Sequence, residues 1–236
     1  MKRSRINKLI EDAIDFLKDK NFYLPQFAFW DLKQWLNKRI EIKEIIYNQL
    51  GWDLTDFGRG NFSTCGLLLF TIRNGNMETI KDGGKNYCEK IMVVQESQIT
   101  PMHHHFQKIE DIINRSGGRL MIQIYGVRDN NKLSNKHINV TMDGIKYTIE
   151  AGTIIELEPG DSITLTPNIY HKFWGKEGEG PVLVGEISSV NDDLIDNYFL
   201  ENTSRFPEVE EDITPKYLLY EDYGKFLDLS IFSTEN

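Results

Sequence analysis

The sequence predicts a mainly β protein, an antiparallel sandwich or barrel, with a helical extension at its N-terminus. Three observations lead there. Between residues 51 and 190, short runs rich in β-branched and aromatic residues recur, and Gly, Asn, Asp and Pro punctuate them. No helix-length insert separates these runs, which disfavours parallel strands joined by crossovers. Before residue 51 the apolar residues repeat instead at three and four, the period of one helix face.

The elements follow in order. Ile6, Ile10, Ala13, Ile14 and Leu17 form the apolar face of a first helix. The basic start of "MKRSRINKLIEDAIDFLKDK" resembles a signal peptide, but Glu11, Asp12 and Asp15 interrupt its apolar run. No stretch approaches the length of a membrane span. Pro25 breaks the pattern in "FYLPQFAFW", and Asp31 then caps a second helix. Leu32, Trp35, Leu36, Arg39, Ile42, Ile45, Ile46 and Leu50 continue the period, with Gly51 as its stop. Strand runs follow: "CGLLLFTIRNG", "KIMVVQESQIT", "GRLMIQIYGV", "HINVTMDGIKYTIEAGTIIELEPGDSITLTP" and "GPVLVGEISSV". Asn74-Gly75 and Asp143-Gly144 are hairpin signals, and Val140, Met142, Ile145, Tyr147 and Ile149 suit two strands folded across the second. From about residue 191 the chain is acidic, aromatic and irregular, and is expected to pack on the barrel as loops and short segments. Residues 1–50 are thus a helical extension packed on the barrel, and 51–236 the barrel with its C-terminal segment, together one functional domain.

Composition narrows the function. With 236 residues, 40% of them hydrophobic, the chain can bury a sizeable core. A formal net charge of -9 offers no basic surface for nucleic acid or anionic lipid. The two cysteines, Cys65 and Cys88, form no CxxC pair and are expected to be reduced thiols in a cytoplasmic protein.

The chemistry concentrates in "TPMHHHFQKIEDIINRSGG", residues 100–118, which holds three of the five histidines. On a strand, His103 and His105 point to one face and His104 to the other. Glu110 lies beyond a short turn and can return toward the same point from the neighbouring strand. His171, in "PGDSITLTPNIYHKFWG", is a further candidate. Three imidazoles and a carboxylate make a mixed N/O donor set, and the absence of cysteine argues against structural zinc. Glu110 could instead pair with Lys108 or Arg115 at the surface. His137 has no ligand partner near it in sequence and reads as a strand-end residue.

His103-x-His105-x4-Glu110-x6-Gly117 resembles the first motif of the cupin superfamily from its first histidine onward. Ser97 stands where that motif opens with glycine. Gly160-x5-Thr166-x-Asn168-x2-His171 resembles the second motif, with threonine in place of proline and asparagine in place of glycine. Asparagine is the residue, after glycine, that best tolerates left-handed backbone. The resemblance implies a cupin barrel, a double-stranded β-helix or jelly roll.

"GWDLTDFGRGNF", "CEKIMVVQESQITPMHHHFQKIEDIINRSGG" and "VGEISSVNDDLIDNYF" together resemble the D-lyxose ketol-isomerases, in their longer form with a helical N-terminal extension. The resemblance runs from the opening residues to about residue 220 and is strongest over 90–118 and 170–197. It implies a sugar isomerase needing Mn2+ or a similar divalent ion such as Fe2+, Co2+ or Zn2+. Such an enzyme interconverts D-lyxose with D-xylulose and D-mannose with D-fructose. The resemblance also implies His103, His105, Glu110 and His171 as metal ligands, the same four that strand geometry and spacing select.

Moving a carbonyl from C1 to C2 needs a proton taken from one carbon and returned to the next, and the barrier is dominated by charge building on oxygen in the enediol. A divalent ion stabilises that charge as a Lewis acid, and four protein ligands leave an octahedral ion two positions for the sugar. Lys90, at the start of "KIMVV", falls on the face shared by Met92 and Val94 and is a candidate acid or base; the resemblance also points to it. Glu186, a carboxylate inside the apolar run "VLVGEISSV", is either a general base or an acceptor that orients His171. Arg205 is a candidate contact for sugar hydroxyls, with Asp192, Asp193, Glu208, Glu210 and Glu211 as further polar groups that otherwise belong to solvated surface. Trp174, Phe106 and Tyr170 flank ligands and can stack on a sugar face or simply pack. The expected partners are a small sugar and a second copy of the chain, a homodimer. An oxidative, dioxygenase-type cupin, a phosphosugar isomerase and a non-catalytic sugar-binding cupin are the competing functions.

Overall fold

The computed structural model describes residues 1–38, 40–192, 195–204 and 207–232. Arg39, which the periodicity puts on the second helix, lies outside them.

Helix α1 (Arg3–Asp19) buries Ile6, Ile10, Ala13, Ile14 and Leu17, the apolar face read from the sequence. It ends where Asn21, in left-handed geometry, lets the Phe22 amide reach the Leu17 carbonyl at 2.9 Å. The single second helix expected over 32–50 is two shorter ones. Asp31 and Gln34 form a capping box at the start of α2 (Leu32–Leu36), but Asn37, a weak helix former, ends it. A 3-10 turn then leads into α3 (Lys43–Tyr47). The hydrophobic period survives the break because Trp35 and Ile42 still pack in one cluster with Leu218, Tyr223 and Phe232. Gln49, not Gly51, carries the left-handed stop of α3, and Gly51 opens the first strand.

Fourteen strands follow among the described residues: β1 (Gly51–Thr55), β2 (Leu67–Arg73), β3 (Tyr87–Val94), β4 (Thr100–His105), β5 (Glu110–Gly117), β6 (Leu120–Arg128), β7 (Lys132–Ser134), β8 (Ile138–Met142), β9 (Ile145–Ile149), β10 (Ile154–Leu157), β11 (Ser162–Leu165), β12 (Ile169–Gly175), β13 (Val182–Ser189) and β14 (Asn197–Phe199). They form two antiparallel sheets. One runs β1-β2-β3-β13-β5-β11-β8-β9, and the other β10-β6-β12-β4-β14 with β7 on β6. Asp143-Gly144 makes the tight turn expected of it, with both residues at positive φ and Met142 opposite Ile145. Asn74-Gly75 does not. Residues 74–86 connect β2 to β3 with a 3-10 turn inside, and a Cβ on Gly75 would strike the Lys85 backbone. That pair is spent on close packing rather than on a hairpin.

The sheets enclose an apolar core of Met92, Val94, Ile112, Ile122, Ile163, Phe173, Val184 and their neighbours. On β3 the alternate residues Ile91 and Val93 face outward and pack with Trp52, Leu54 and Phe70 under α1. This alternation turns Lys90 toward the core between the sheets. Arg3, with no exposed surface, ties the helical extension to the C-terminal segment through Glu211 at 2.8 Å and Asp222 at 2.7 Å. Both departures from the cupin glycine pattern are accommodated by backbone: Ser97 (φ 55°) and Asn168 (φ 64°) each adopt the left-handed conformation that glycine supplies more cheaply. Among the described residues, no helix is long and apolar enough to cross a membrane.

Candidate metal centre

His103 and His105 lie on the inner face of β4, as strand alternation requires, and His171 sits directly opposite His103 on the paired strand β12. The candidate ligand atoms of the three imidazoles all lie within 4.8 Å of one another. Glu110 comes from β5, which belongs to the facing sheet, so the carboxylate closes the group across the core and not from a strand beside β4. Its Oε1 is 3.3 Å from His105 Nε2 and 3.1 Å from His171 Nε2.

These approaches are not hydrogen bonds. His105 Nε2 and Glu110 Oε1 are both buried and lack a hydrogen-bond partner. Buried polar atoms without partners are costly, and an ion at their focus would satisfy them. Ligands about 2.1 Å from a common ion and at right angles to each other stand about 3 Å apart, the spacing found between Oε1 and the two ring nitrogens. The outer nitrogens of two rings are fixed: Nδ1 of His103 lies 2.8 Å from the Pro101 carbonyl, and Nδ1 of His171 lies 3.1 Å from the Ile169 carbonyl. Both bonds place the proton on Nδ1 and leave Nε2 free to ligate. The donors present therefore suit a divalent metal ion.

The electrostatics agree. Burial, then the neighbouring His171 and His105 rings, push His103 well below the ordinary imidazole value. Burial, followed by the Lys108 ammonium, lowers His105 as well. Burial alone would raise the Glu110 carboxyl, but Lys108, with His105 and His171, outweighs it and holds the group well below the usual carboxylate range. These shifts favour the proton-free donor forms of His103, His105 and Glu110, as metal binding needs.

A cavity of about 460 Å³, counting its open mouth, adjoins the four residues. Lys90 and Glu186 line it. They face each other across the β3–β13 ladder, with Nζ 3.6 Å from Oε1. Glu186 does not orient His171, whose Nδ1 is already taken by the Ile169 carbonyl; it accepts instead from Lys108 at 2.9 Å. Lys108 was not singled out as a site residue by the sequence. It is buried, and its ammonium also meets Glu110 Oε2 at 2.9 Å. The surface pairing of Lys108 with Glu110 that the sequence allows is therefore real but internal.

The residues expected to touch sugar are placed differently. Trp174 is one residue past inward-facing Phe173, so it turns to the outer face, beneath the Lys172 ammonium. Phe106 is exposed and packs on His104 and Tyr198 outside the cavity. His104 is fully buried on that same outer side, against Tyr170. Tyr170 donates to the Asn131 carbonyl at 2.6 Å, and burial pushes its hydroxyl up to about 12. Arg205 and Asp193 lie outside the described residues. The walls that do adjoin the metal centre are Phe57, Leu67, Leu69 and Phe199.

The chain matches the D-lyxose isomerase family over residues 1–223. It is 45% identical to the D-lyxose/D-mannose isomerase of Serratia proteamaculans over 228 residues, covering 96% of this chain and all of that one. It is 42% identical to the D-lyxose/D-mannose isomerase of Escherichia coli O157:H7, again over 96% of this chain and the whole of the relative. Among solved structures, a mutant of the L-ribose isomerase of Acinetobacter sp. DL28 in complex with L-ribose shares the fold, with a TM-score of 0.59 at 13% identity over 89% of this chain and 98% of that one.

Proposed function

We propose, since the chain belongs to the D-lyxose isomerase family and is an aldose–ketose sugar isomerase, that it interconverts D-lyxose with D-xylulose and D-mannose with D-fructose in the cavity between its sheets. One observation carries the assignment of the site: three imidazoles gather within 4.8 Å of one another, a carboxylate from the facing sheet lies 3.3 and 3.1 Å from two of them, and a lysine and a glutamate line the cavity beside them.

His103, His105, Glu110 and His171 would hold one divalent ion, which when bound supplies Lewis acidity to the sugar's carbonyl and adjacent hydroxyl oxygens. Mn2+ is the proposed ion, since imidazole and carboxylate donors together suit it. The remaining work falls to side chains. Glu186 takes the proton from C2 of the aldose and returns it to C1, while the hydroxyl proton of O2 passes to O1, so that the enediol between aldose and ketose balances. Lys90 Nζ, 2.8 Å from Asn191 Oδ1, presents its ammonium beside Glu186, where negative charge develops on substrate oxygen. Lys108 fixes Glu186 relative to Glu110, so that the proton carrier and the ligand set keep one geometry. The aromatic and aliphatic walls keep bulk water from the site.

Exposed Ile145 and Tyr147 on edge strand β9 supply apolar surface for the homodimer, and the free cysteines Cys65 and Cys88 agree with a cytoplasmic location. Metal-stripped protein reconstituted with Mn2+ and offered D-lyxose, D-mannose and D-xylose in parallel tests the function. Ketose from the first two, and little from D-xylose with its opposite C2 configuration, is the expected result. No ketose from D-lyxose with any divalent ion would overturn it.

A further inference from the structure

The segment after β13, "VNDD" in the sequence, reaches the site through Asn191, which is buried. Its Oδ1 lies 2.8 Å from Lys90 Nζ and 3.3 Å from Lys108 Nζ. One neutral acceptor thus sits between two ammonium groups that would otherwise repel, and each of those groups also approaches Glu186. Asn191 does not touch the four metal-centre residues through any bond the structure shows.

Asn191 is itself held. Its backbone amide donates to Asn74 Oδ1 at 3.1 Å, and its carbonyl accepts from Asn74 Nδ2 at 2.9 Å. The Asn74 side chain imitates a backbone partner and captures both main-chain groups of Asn191. Asn74 is in turn clasped by Asn48: Asn48 Nδ2 donates to the Asn74 carbonyl at 3.0 Å, and Asn74 Nδ2 approaches the Asn48 carbonyl at 3.2 Å. Asn48 is the C-terminal cap of α3. Gly75 permits the close packing there, since a Cβ would also meet the Val190 side chain. A continuous polar bridge therefore runs from the helical extension, through the β2–β3 connection, to the two lysines in the cavity. The alternative uses of these residues, surface solvation or turn formation, do not require three buried or half-buried asparagines bonded in series.

We infer that Asn191 is a positioning residue that holds Lys90 and Lys108 for the isomerase reaction, and that the helical extension sets its place through Asn74 and Asn48. The inference rests on the sugar-isomerase reading for its kinetic consequence, but not for its structural one. The test compares Asn191→Ala, which deletes the acceptor, with Asn191→Asp, which keeps an oxygen at the same place. Two quantities are read on Mn2+-loaded protein: kcat and KM for D-lyxose, and the rate at which Lys90 and Lys108 are acylated by an amine reagent, followed by peptide mass spectrometry. Asn191→Ala should lower kcat about tenfold or more at nearly constant KM, the pattern of an interaction made in the transition state. It should also speed acylation of both lysines without loss of Mn2+ affinity, while Asn191→Asp keeps them protected and recovers most of kcat. Asn48→Ala should show the same pattern at smaller amplitude, and guards against a fold defect local to Asn191. Unchanged lysine protection in Asn191→Ala, or a fall in Mn2+ affinity and melting temperature that Asn191→Asp shares, would overturn the inference. Absence of D-lyxose turnover in the wild type would instead defeat the functional reading, and the acylation rates would still decide whether Asn191 holds the lysines.

Discussion

Glu186→Gln separates chemistry from architecture. The amide has nearly the shape of the carboxylate, and its oxygen can still accept from Lys108, which Glu186 now meets at 2.9 Å. Lys108 keeps Glu110 at 2.9 Å, and Lys90 keeps Asn191 at 2.8 Å, so neither ammonium is stranded. A hydrogen bond to a charged group contributes about 1.5–3 kcal/mol, of which the amide retains part, so a loss of about 1–2 kcal/mol is expected. At roughly 2–4 °C per kcal/mol for a chain of this size, the melting temperature should fall by about 2–8 °C. Activity should suffer far more. A positioned proton carrier contributes about 10²–10⁴-fold, or about 2.7–5.5 kcal/mol of barrier, and the amide cannot carry the proton. The assay is ketose formation from D-lyxose by Mn2+-loaded protein, with proton NMR in D2O to follow exchange at C2. A kcat reduced 10²-fold or more, loss of exchange and a modest thermal shift are the expected set. A kcat within about threefold of wild type, with exchange intact, would refute the assignment of Glu186 and transfer the role to Lys90.

Three further outcomes are expected. Arg3→Met removes a fully buried guanidinium from Glu211 and Asp222 and should cost about 3 kcal/mol, read as a lowered urea midpoint, because the buried Asp222 carboxylate loses its cation while Glu211 keeps Lys225 at 2.6 Å; an unchanged midpoint would mean the bridge contributes nothing net. Metal-free protein should lose stability as pH falls below about 6.5: His103 and His105 have lowered values in the fold, so the unfolded chain binds protons first, and Glu110, also lowered, adds to the loss below about 4.5. Urea midpoints that stay flat from pH 7 to 5 would contradict this. Asp196→Ala exposes the β4–β5 turn, because the carboxylate accepts the backbone amides of Phe106, Gln107 and Lys108 at 3.0, 2.8 and 2.9 Å. Faster hydrogen exchange at residues 106–108 and a lowered kcat are expected, whereas unaltered exchange would show that other contacts hold the turn.

What could be read from the sequence was whatever depends on local geometry. His103 and His105 share a face because β-strand alternation needs no knowledge of the rest of the chain. The same parity rule, applied once more, would have put Phe106 and Trp174 on the outside, since each is one residue beyond an inward-facing neighbour. Glu110 reaches the centre across the sandwich, and which sheet a strand joins is decided by long-range pairing that residue spacing does not contain. Lys108 lies in the turn between β4 and β5, where no alternation signals its direction; its amide donates to Asp196, and its ammonium is drawn inward by Glu110 and Glu186. Asn74 likewise has the sequence of a tight hairpin and the role of a clasp, because its partners are 26 and 117 residues away. The helical extension was legible as amphipathic, yet its break at Asn37 was masked by a period that the packing of Trp35 and Ile42 preserves.

The ion itself offers the most direct test. Metal content of the purified, Mn2+-reconstituted chain, measured by mass spectrometry alongside the His103→Asn, Glu110→Gln and His171→Asn variants, asks whether these side chains form one centre. One ion per wild-type chain, and a large loss of affinity in every variant, is the expected result. Stoichiometric binding that survives substitution at Glu110 and at His171 would contradict the convergence of both sheets on a single metal.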